Sequence, residues 1–207
     1  MAKDAKTIID VGANMGIFSI IAKGLNPTAK VLAFEPLPKT FEILKNNIAI
    51  NDFDINAFQV ALSDHDGVGE FVFDENNDQT PSLNNKRDES YKRISIKINK
   101  LDSIAKEFQI TTVDLIKIDV EGFEAQVLKG MMELLHNSPD IVMILEVLEN
   151  KNGADIEEAL KDYNFKYFYI DEKTGLKPSE NIIRHSGSRN YLICNPEMAK
   201  KVMSIVN

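Results

Sequence analysis

Seven residues near the amino terminus, Asp10-Val-Gly12-Ala-Asn14-Met-Gly16, combine a carboxylate, two glycines and an asparagine where a β-branched run gives way to a helical pattern. In open α/β sheets that junction, outside the carboxyl end of a strand, is where ligands bind. Glycine at 12 permits a positive φ and lets another molecule touch the backbone, and Gly16 lets the following helix start close against the sheet. A dinucleotide fingerprint requires Gly-x-Gly-x-x-Gly, whereas Asn14 stands here at the second glycine, where backbone would approach a pyrophosphate. Asp10, at the mouth of the turn, would repel a diphosphate and attract an ammonium or sulfonium group. Both features count against a nicotinamide cofactor. An NAD-dependent oxidoreductase is still the alternative enzyme class, and a non-catalytic nucleotide-binding module on the same fold is the alternative outside enzymes. Glu35 follows roughly twenty residues after the last glycine, where a carboxylate can accept two ribose hydroxyl protons. Ala61-Leu62-Ser63-Asp64 offers Leu62 as an apolar wall and Ser63 or Asp64 as hydrogen-bond partners for an adenine ring, or else forms a plain polar turn.

Alternating strands and helices must hold these groups. Thr7–Val11 reads as a strand, and Met15–Lys23 as a helix carrying Ile17, Phe18, Ile20 and Ile21 at helical spacing. Lys30–Phe34 is a second strand, Thr40–Ile50 a second helix, and Ile55–Leu62 a third strand, an alternation that calls for a parallel sheet with right-handed crossovers. Val113–Ile118 and Ile141–Val147 are continuous apolar runs of the kind buried on both faces. Between them Phe123, Val127, Met131 and Leu135 fall on one helical face. Phe165–Ile170 and Tyr191–Cys194 have only a loop between them and should pair antiparallel. The expected fold is doubly wound α/β, and its 207 residues fit one domain spanning 1–207. The run from Asp74 to Ser90 is a polar insertion loop (74–90), bracketed by a β pair carrying Phe71, Phe73, Ile96 and Ile98. Leu83, its one large apolar residue, is expected to fold over a bound acceptor.

Composition narrows the function. Lys and Arg total 24 against 32 Asp and Glu, a net charge of −8, which argues against nucleic acid as a partner. No apolar stretch approaches the roughly 18 residues of a membrane span. The single cysteine, Cys194, excludes an internal disulfide, and with no readable secretory signal a cytoplasmic setting is expected.

With Lys117-Ile-Asp119-Val-Glu121-Gly-Phe-Glu124 added to the glycine turn, the sequence resembles the FkbM-type methyltransferases, a family of S-adenosylmethionine-dependent O-methyltransferases. The matching blocks are Ile9–Gly16, Phe34-Glu-Pro36, Ala61–Asp64, Lys100-Leu-Asp-Ser-Ile104, Leu115–Gly122 and Val127-Leu-Lys-Gly130. The resemblance implies a mostly parallel seven-stranded sheet with an antiparallel edge hairpin near the carboxyl terminus. It also implies that Asp10, Gly12, Asn14, Gly16 and Glu35 hold S-adenosylmethionine, which leaves as S-adenosylhomocysteine. Members carry a segment before the first strand that helps cover the cofactor; this chain reaches its first strand at Thr7, so an open cleft is expected. The implied acceptor is a small hydroxylated molecule, a sugar or natural product.

Methyl transfer from a sulfonium is an in-line displacement in which alignment supplies much of the rate. A weakly nucleophilic hydroxyl still benefits from a base within hydrogen-bond reach. Asp119, at the end of its strand, is expected near the methionine part of the cofactor or the transferred methyl, and Glu121 facing the acceptor. Glu146 ends the neighbouring strand. Glu121 could instead complement a helix macrodipole. Asp119 and Glu146 could together hold a divalent cation, but the sequence offers no obvious third ligand, so no metal is expected. His185, beside Arg184 and Arg189, is the histidine placed to contact an anionic acceptor or act as base.

Overall fold

The computed structural model describes residues 1–74, 91–185 and 188–206. β1 (Thr7–Val11), α1 (Ile17–Leu25), β2 (Lys30–Phe34), α2 (Pro38–Ile50) and β3 (Ile55–Phe58) form two successive crossovers. β4 (Ala61–Leu62), β5 (Gly67–Asp74) and β6 (Tyr91–Asn99) follow, then α3 (Leu101–Glu107), β7 (Leu115–Ile118), α4 (Glu124–Lys129), α5 (Met132–His136) and β8 (Val142–Glu146). The chain ends with α6 (Asn150–Leu160), β9 (Lys166–Asp171), β10 (Gly175–Ser179), β11 (Asn190–Cys194) and α7 (Pro196–Val206).

The main sheet runs β10-β9-β11-β8-β7-β1-β2-β3. β3, β2, β1, β7 and β8 are parallel, while β11 lies antiparallel to both β8 and β9, as the carboxyl-terminal pattern predicts. The sheet has eight strands rather than seven. The extra one, β10, pairs antiparallel with β9, and its residues bury no alternating face by which a sequence signals a strand. As the outermost strand it can also carry Pro178, whose missing N–H an edge tolerates.

Two further expectations are corrected. Ile55–Leu62 is not one strand: it stays in the main sheet to Phe58, and Ala61–Leu62 joins a three-stranded sheet, β4-β6-β5, pairing parallel with Ile98 and Asn99. The helix between β7 and β8 is likewise two, interrupted at Gly130 and Met131. A Cβ at Gly130 would lie 2.0 Å from the Ser63 carbonyl oxygen, so the break coincides with close packing against the turn after β4. Val127, Met131 and Leu135 are nevertheless all buried.

Helices cover both faces of the sheet. Ile9, Val11, Ile116 and Leu145 pack against α3, α4, α5 and α6, and Ile8, Val31, Leu115 and Val142 against α1, α2 and α7. α1 inverts the usual amphipathic reading. Ser19 and Ala22 are its buried face, while Ile17 and Ile21 are 62% and 56% exposed. Among the described residues no helix is long and apolar enough to cross a membrane.

Candidate active site

The strand order reverses between β1 and β7, each of which sends its chain to opposite sides of the sheet, and the crevice opens beyond their carboxyl ends. A cavity of about 500 Å³ lies there. Its wall is built from the turn after β1 (Gly12, Ala13, Asn14, Met15), the end of β2 (Glu35), β4 (Leu62) and the end of β7 (Asp119, Glu121). Phe71 of β5 also lines it, so the β5–β6 hairpin reaches the site. The tip of that hairpin, with Leu83 and the rest of the 74–90 insertion after Asp74, lies outside the described residues.

Gly12 and Asn14 both take positive φ, 74° and 51°. At Gly12 the close approach is made by the protein itself: a Cβ there would sit 1.9 Å from the Asp119 carbonyl oxygen. Gly16, at φ 86°, starts α1 and makes room for Leu44 of α2, but does not line the cavity. The left-handed turn points the Asn14 amide at Glu35 Oε2 (3.0 Å), while the Leu37 amide donates to Oε1 (3.0 Å). Each oxygen therefore keeps a lone pair for a further donor. Burial raises the proton affinity of Glu35, and the two amides oppose that shift.

Asp10 is not at the mouth of the turn. It is fully buried and off the cavity wall, because its Oδ2 accepts from the Ser19 amide (3.2 Å) and hydroxyl (2.6 Å) in the first turns of α1. Gly16 brings no side chain to cap that helix, and Asp10 supplies the oxygen from β1 instead. Its Oδ1 has no partner among the described residues, and burial raises its pKa against the opposing pull of Lys117. Ser63 and Asp64 also lie off the wall. The Ser63 hydroxyl donates to Asp64 Oδ1 (3.3 Å), which is 2.8 Å from His65 Nδ1, and Val60, Ala61 and Leu62 line the cavity in their place.

At the other end, Asp119, Glu121 and Glu146 bring carboxylate oxygens within 4.8 Å of one another. Glu121 is the third oxygen donor that spacing alone did not supply. Lys117 Nζ pairs with Asp119 Oδ2 at 2.9 Å, and Arg189 Nη1 stands 3.7 Å from Glu146 Oε1. Burial first, and then the charges of Asp119 and Glu121, push the Glu146 carboxyl up to about 7, with Arg189 opposing. Glu121 is raised for the same reasons, with Glu124 adding to the repulsion. Burial and like charge this close disfavour the ionised form of Glu146, whose Oε2 has no hydrogen-bond partner among the described residues.

Glu121 itself has φ 55°, a left-handed conformation that costs a non-glycine residue about 1–3 kcal/mol. Behind it Glu124 is fully buried, and its Oε1 accepts from the amides of Val120 (3.1 Å) and Gly122 (3.2 Å). Its Oε2 accepts from Asn152 Nδ2 of α6 at 2.7 Å. The sequence carried Glu124 within its longest motif without assigning it a task.

His185 is not brought to the cavity wall. Its ring stacks on Tyr169 at 3.9 Å between centroids, in the turn where it bridges to Ser188 ahead of β11. Of the three clustered carboxylates, Asp119 and Glu121 line the cavity and Glu146 stands behind them. Sequence also missed Thr40 and Lys117 on the wall, and the apolar Val60, Phe71, Ile17 and Ile21. The alternation and helical spacing of these last four signalled a core, and only the fold turns them toward a crevice.

The family model of the methyltransferase FkbM domain matches residues 10–167. The methyltransferase sdnD of Sordaria araneosa is 31% identical over 193 residues, covering 76% of this chain and 73% of that protein. The 31-O-demethyl-FK506 methyltransferase FkbM of Streptomyces tacrolimicus is 26% identical, covering 76% of this chain and 72% of that one. Among solved structures, the methyltransferase FkbM of Methylobacillus flagellatus superposes with a TM-score of 0.57 at 15% identity, covering 92% of this chain and 44% of that one. The glycine turn on β1, Glu35 on β2 and the acidic motif after β7 all lie within the matched span, and the chain belongs to the FkbM methyltransferase family.

Proposed function

We propose that this chain is an O-methyltransferase domain that moves a methyl group from S-adenosylmethionine to a hydroxyl of a small molecule, a sugar or natural product. The observation that carries the reading is one cavity with a half-satisfied carboxylate, Glu35, on its wall together with the acid cluster's Asp119 and Glu121. The donor set fits the cofactor. Glu35 keeps acceptor capacity for two ribose hydroxyls, Val60, Leu62 and Phe71 form apolar walls for an adenine ring, and the turn from Gly12 to Asn14 lies beside the space for the methionine part. Asp10 supports the site from beneath by holding α1 through Ser19. Gly16, Ser63 and Asp64 shape the surrounding turns rather than touch the cofactor.

When bound, the cofactor supplies an electrophilic methyl on a sulfonium. The protein's own part is alignment, water exclusion and proton removal. Asp119, held by Lys117, would stand on the methyl side of the bound cofactor, and Glu121 would take the proton of the acceptor hydroxyl as the oxygen–carbon bond forms and the sulfur–carbon bond breaks, leaving S-adenosylhomocysteine. The raised proton affinity of Glu121 suits that role. This reading gives no metal a part in the step, since Lys117 and Arg189 stand beside Asp119 and Glu146 and offset part of the cluster's negative charge. The acceptor is hydroxylated, as in the relative named for 31-O-demethyl-FK506.

Calorimetric titration with S-adenosylhomocysteine and with NAD, followed by a panel of sugar and polyketide hydroxyls, tests the reading. Binding of S-adenosylhomocysteine and turnover of one panel member are expected, undiminished by a chelator. Binding of NAD alone would overturn it, and activity lost to chelator and restored by magnesium would overturn the metal-free mechanism.

A further inference from the structure

The acidic turn after β7 holds a backbone conformation that its own sequence disfavours. Gly122 admits its own φ of 98°, but Glu121 is an acid with a full side chain at φ 55°, a conformation that its residue type disfavours. The group that selects it comes from the next helix. Glu124 places one carboxylate oxygen on two amides that flank Glu121, those of Val120 and Gly122, and its other oxygen on Asn152 of α6. The acid and its lock are buried, Glu124 at 0% and Asn152 at 8% exposed, while Val120 and Gly122 are half-buried. α4 and α6 pack together, so the clamp ties the turn to the body of the molecule rather than to a mobile edge.

Resting on the reading above that Glu121 faces the acceptor, we infer that Glu124, locked by Asn152, is a positioning residue for methyl transfer. It bridges the amides on either side of Glu121 and keeps the Glu121 carboxylate beside Asp119 and Glu146. A buried anion with no other task would be replaceable by an apolar residue. This one fits its position because a single oxygen can accept from two diverging amides, which a hydrocarbon cannot do. Asn152 adds the directional lock. Its Nδ2 faces Glu124, and its Oδ1 has no partner among the described residues, so the amide can turn over to meet a glutamine at 124.

That geometry makes Glu124→Gln a rescue and Glu124→Ala a loss. In Glu124→Ala the turnover number on the accepted hydroxyl should fall by about 10²-fold, the loss expected from misplacing a catalytic group by an ångström. The dissociation constant for S-adenosylhomocysteine should stay within about twofold, because Glu35 and the turn after β1 are not part of the clamp. Glu124→Gln should keep turnover within about fivefold of the parent, since one oxygen and both amide bonds survive. Asn152→Ala should lose activity in the same direction, and the double variant Glu124→Ala/Asn152→Ala should be no worse than Glu124→Ala alone, as expected of two groups acting through one device.

Amide hydrogen exchange at Val120 and Gly122 gives a readout independent of turnover. Protection there should be lost in Glu124→Ala and kept in Glu124→Gln while the strands of the main sheet stay protected. Turnover and S-adenosylhomocysteine affinity falling together in Glu124→Ala would overturn the inference, as would retained turnover or retained amide protection. A parent protein that binds no S-adenosylhomocysteine would instead sink the functional reading, and the exchange experiment would then decide the clamp by itself.

Discussion

Glu146 sits where burial and two like charges all act against its ionised form, and only the partly exposed Arg189 pulls the other way. Its carboxyl titrates at about 7 in the folded protein against an ordinary value of 4.5. With the folded value raised, the stability it contributes is fully present below about pH 4.5 and is lost as pH rises through about 7. Glu146→Gln should therefore be more stable than the parent at pH 8, by about 1–2 kcal/mol once solvent screening is allowed for. The gap should shrink at pH 5. Urea unfolding at the two pH values checks this, and an equal gap at both would remove the raised titration. At the other end of the cavity, Glu35→Ala should weaken S-adenosylhomocysteine binding by about 1.5–3 kcal/mol, the range for hydrogen bonds to a charged group. An unchanged dissociation constant in calorimetry would take Glu35 out of the cofactor site.

At the scale of elements, the turn between β1 and α1 packs directly on the backbone that leaves β7. Gly12→Ala would place a methyl 1.9 Å from the Asp119 carbonyl at a φ of 74°. Backbone cannot yield there without parting β1 from β7, so the change should destabilise the protein by about 3–5 kcal/mol. A melting temperature within error of the parent would contradict the close approach. Ser19→Ala tests the support of α1 separately. It removes the 2.6 Å hydroxyl bond to Asp10 and leaves a buried carboxylate with one donor fewer. A loss of about 1–3 kcal/mol is expected in denaturant unfolding. The strands β1, β2, β7, β8 and β11 were legible because apolar runs buried on both faces have few other readings. β10 was not, since an edge strand with half-exposed residues leaves no alternation to detect. The split of Ile55–Leu62 between two sheets was equally hidden, because pairing with β6 is a contact between segments far apart in sequence.

For the whole molecule, a ligand that binds only the folded state stabilises it by mass action. At 100 times its dissociation constant S-adenosylhomocysteine should add about 2.7 kcal/mol. For a chain of this size that corresponds to a rise in melting temperature of about 5–10 °C. NAD at the same concentration should produce no comparable rise, and an equal shift from NAD would contradict the cofactor assignment. The net charge of −8 adds a background of self-repulsion, so modest salt should raise the melting temperature of the free protein in the same assay.

The sequence by itself determined the strand order of the parallel core, the glycine turn after β1, Glu35 and the acidic motif after β7. These are local: glycine spacing, apolar runs and strand-end carboxylates carry their meaning within a few residues. Tertiary structure alone decided that Asp10 faces Ser19 rather than the crevice, that His185 stacks on Tyr169, and that Ile17 and Ile21 line a cavity instead of a core. It also brought Glu121 to Asp119 and Glu146 through a left-handed turn fixed by Glu124 and Asn152. Each of those outcomes depends on burial and on partners distant in the chain, and a side chain's direction is set by which neighbour satisfies its polar atoms once water has been excluded.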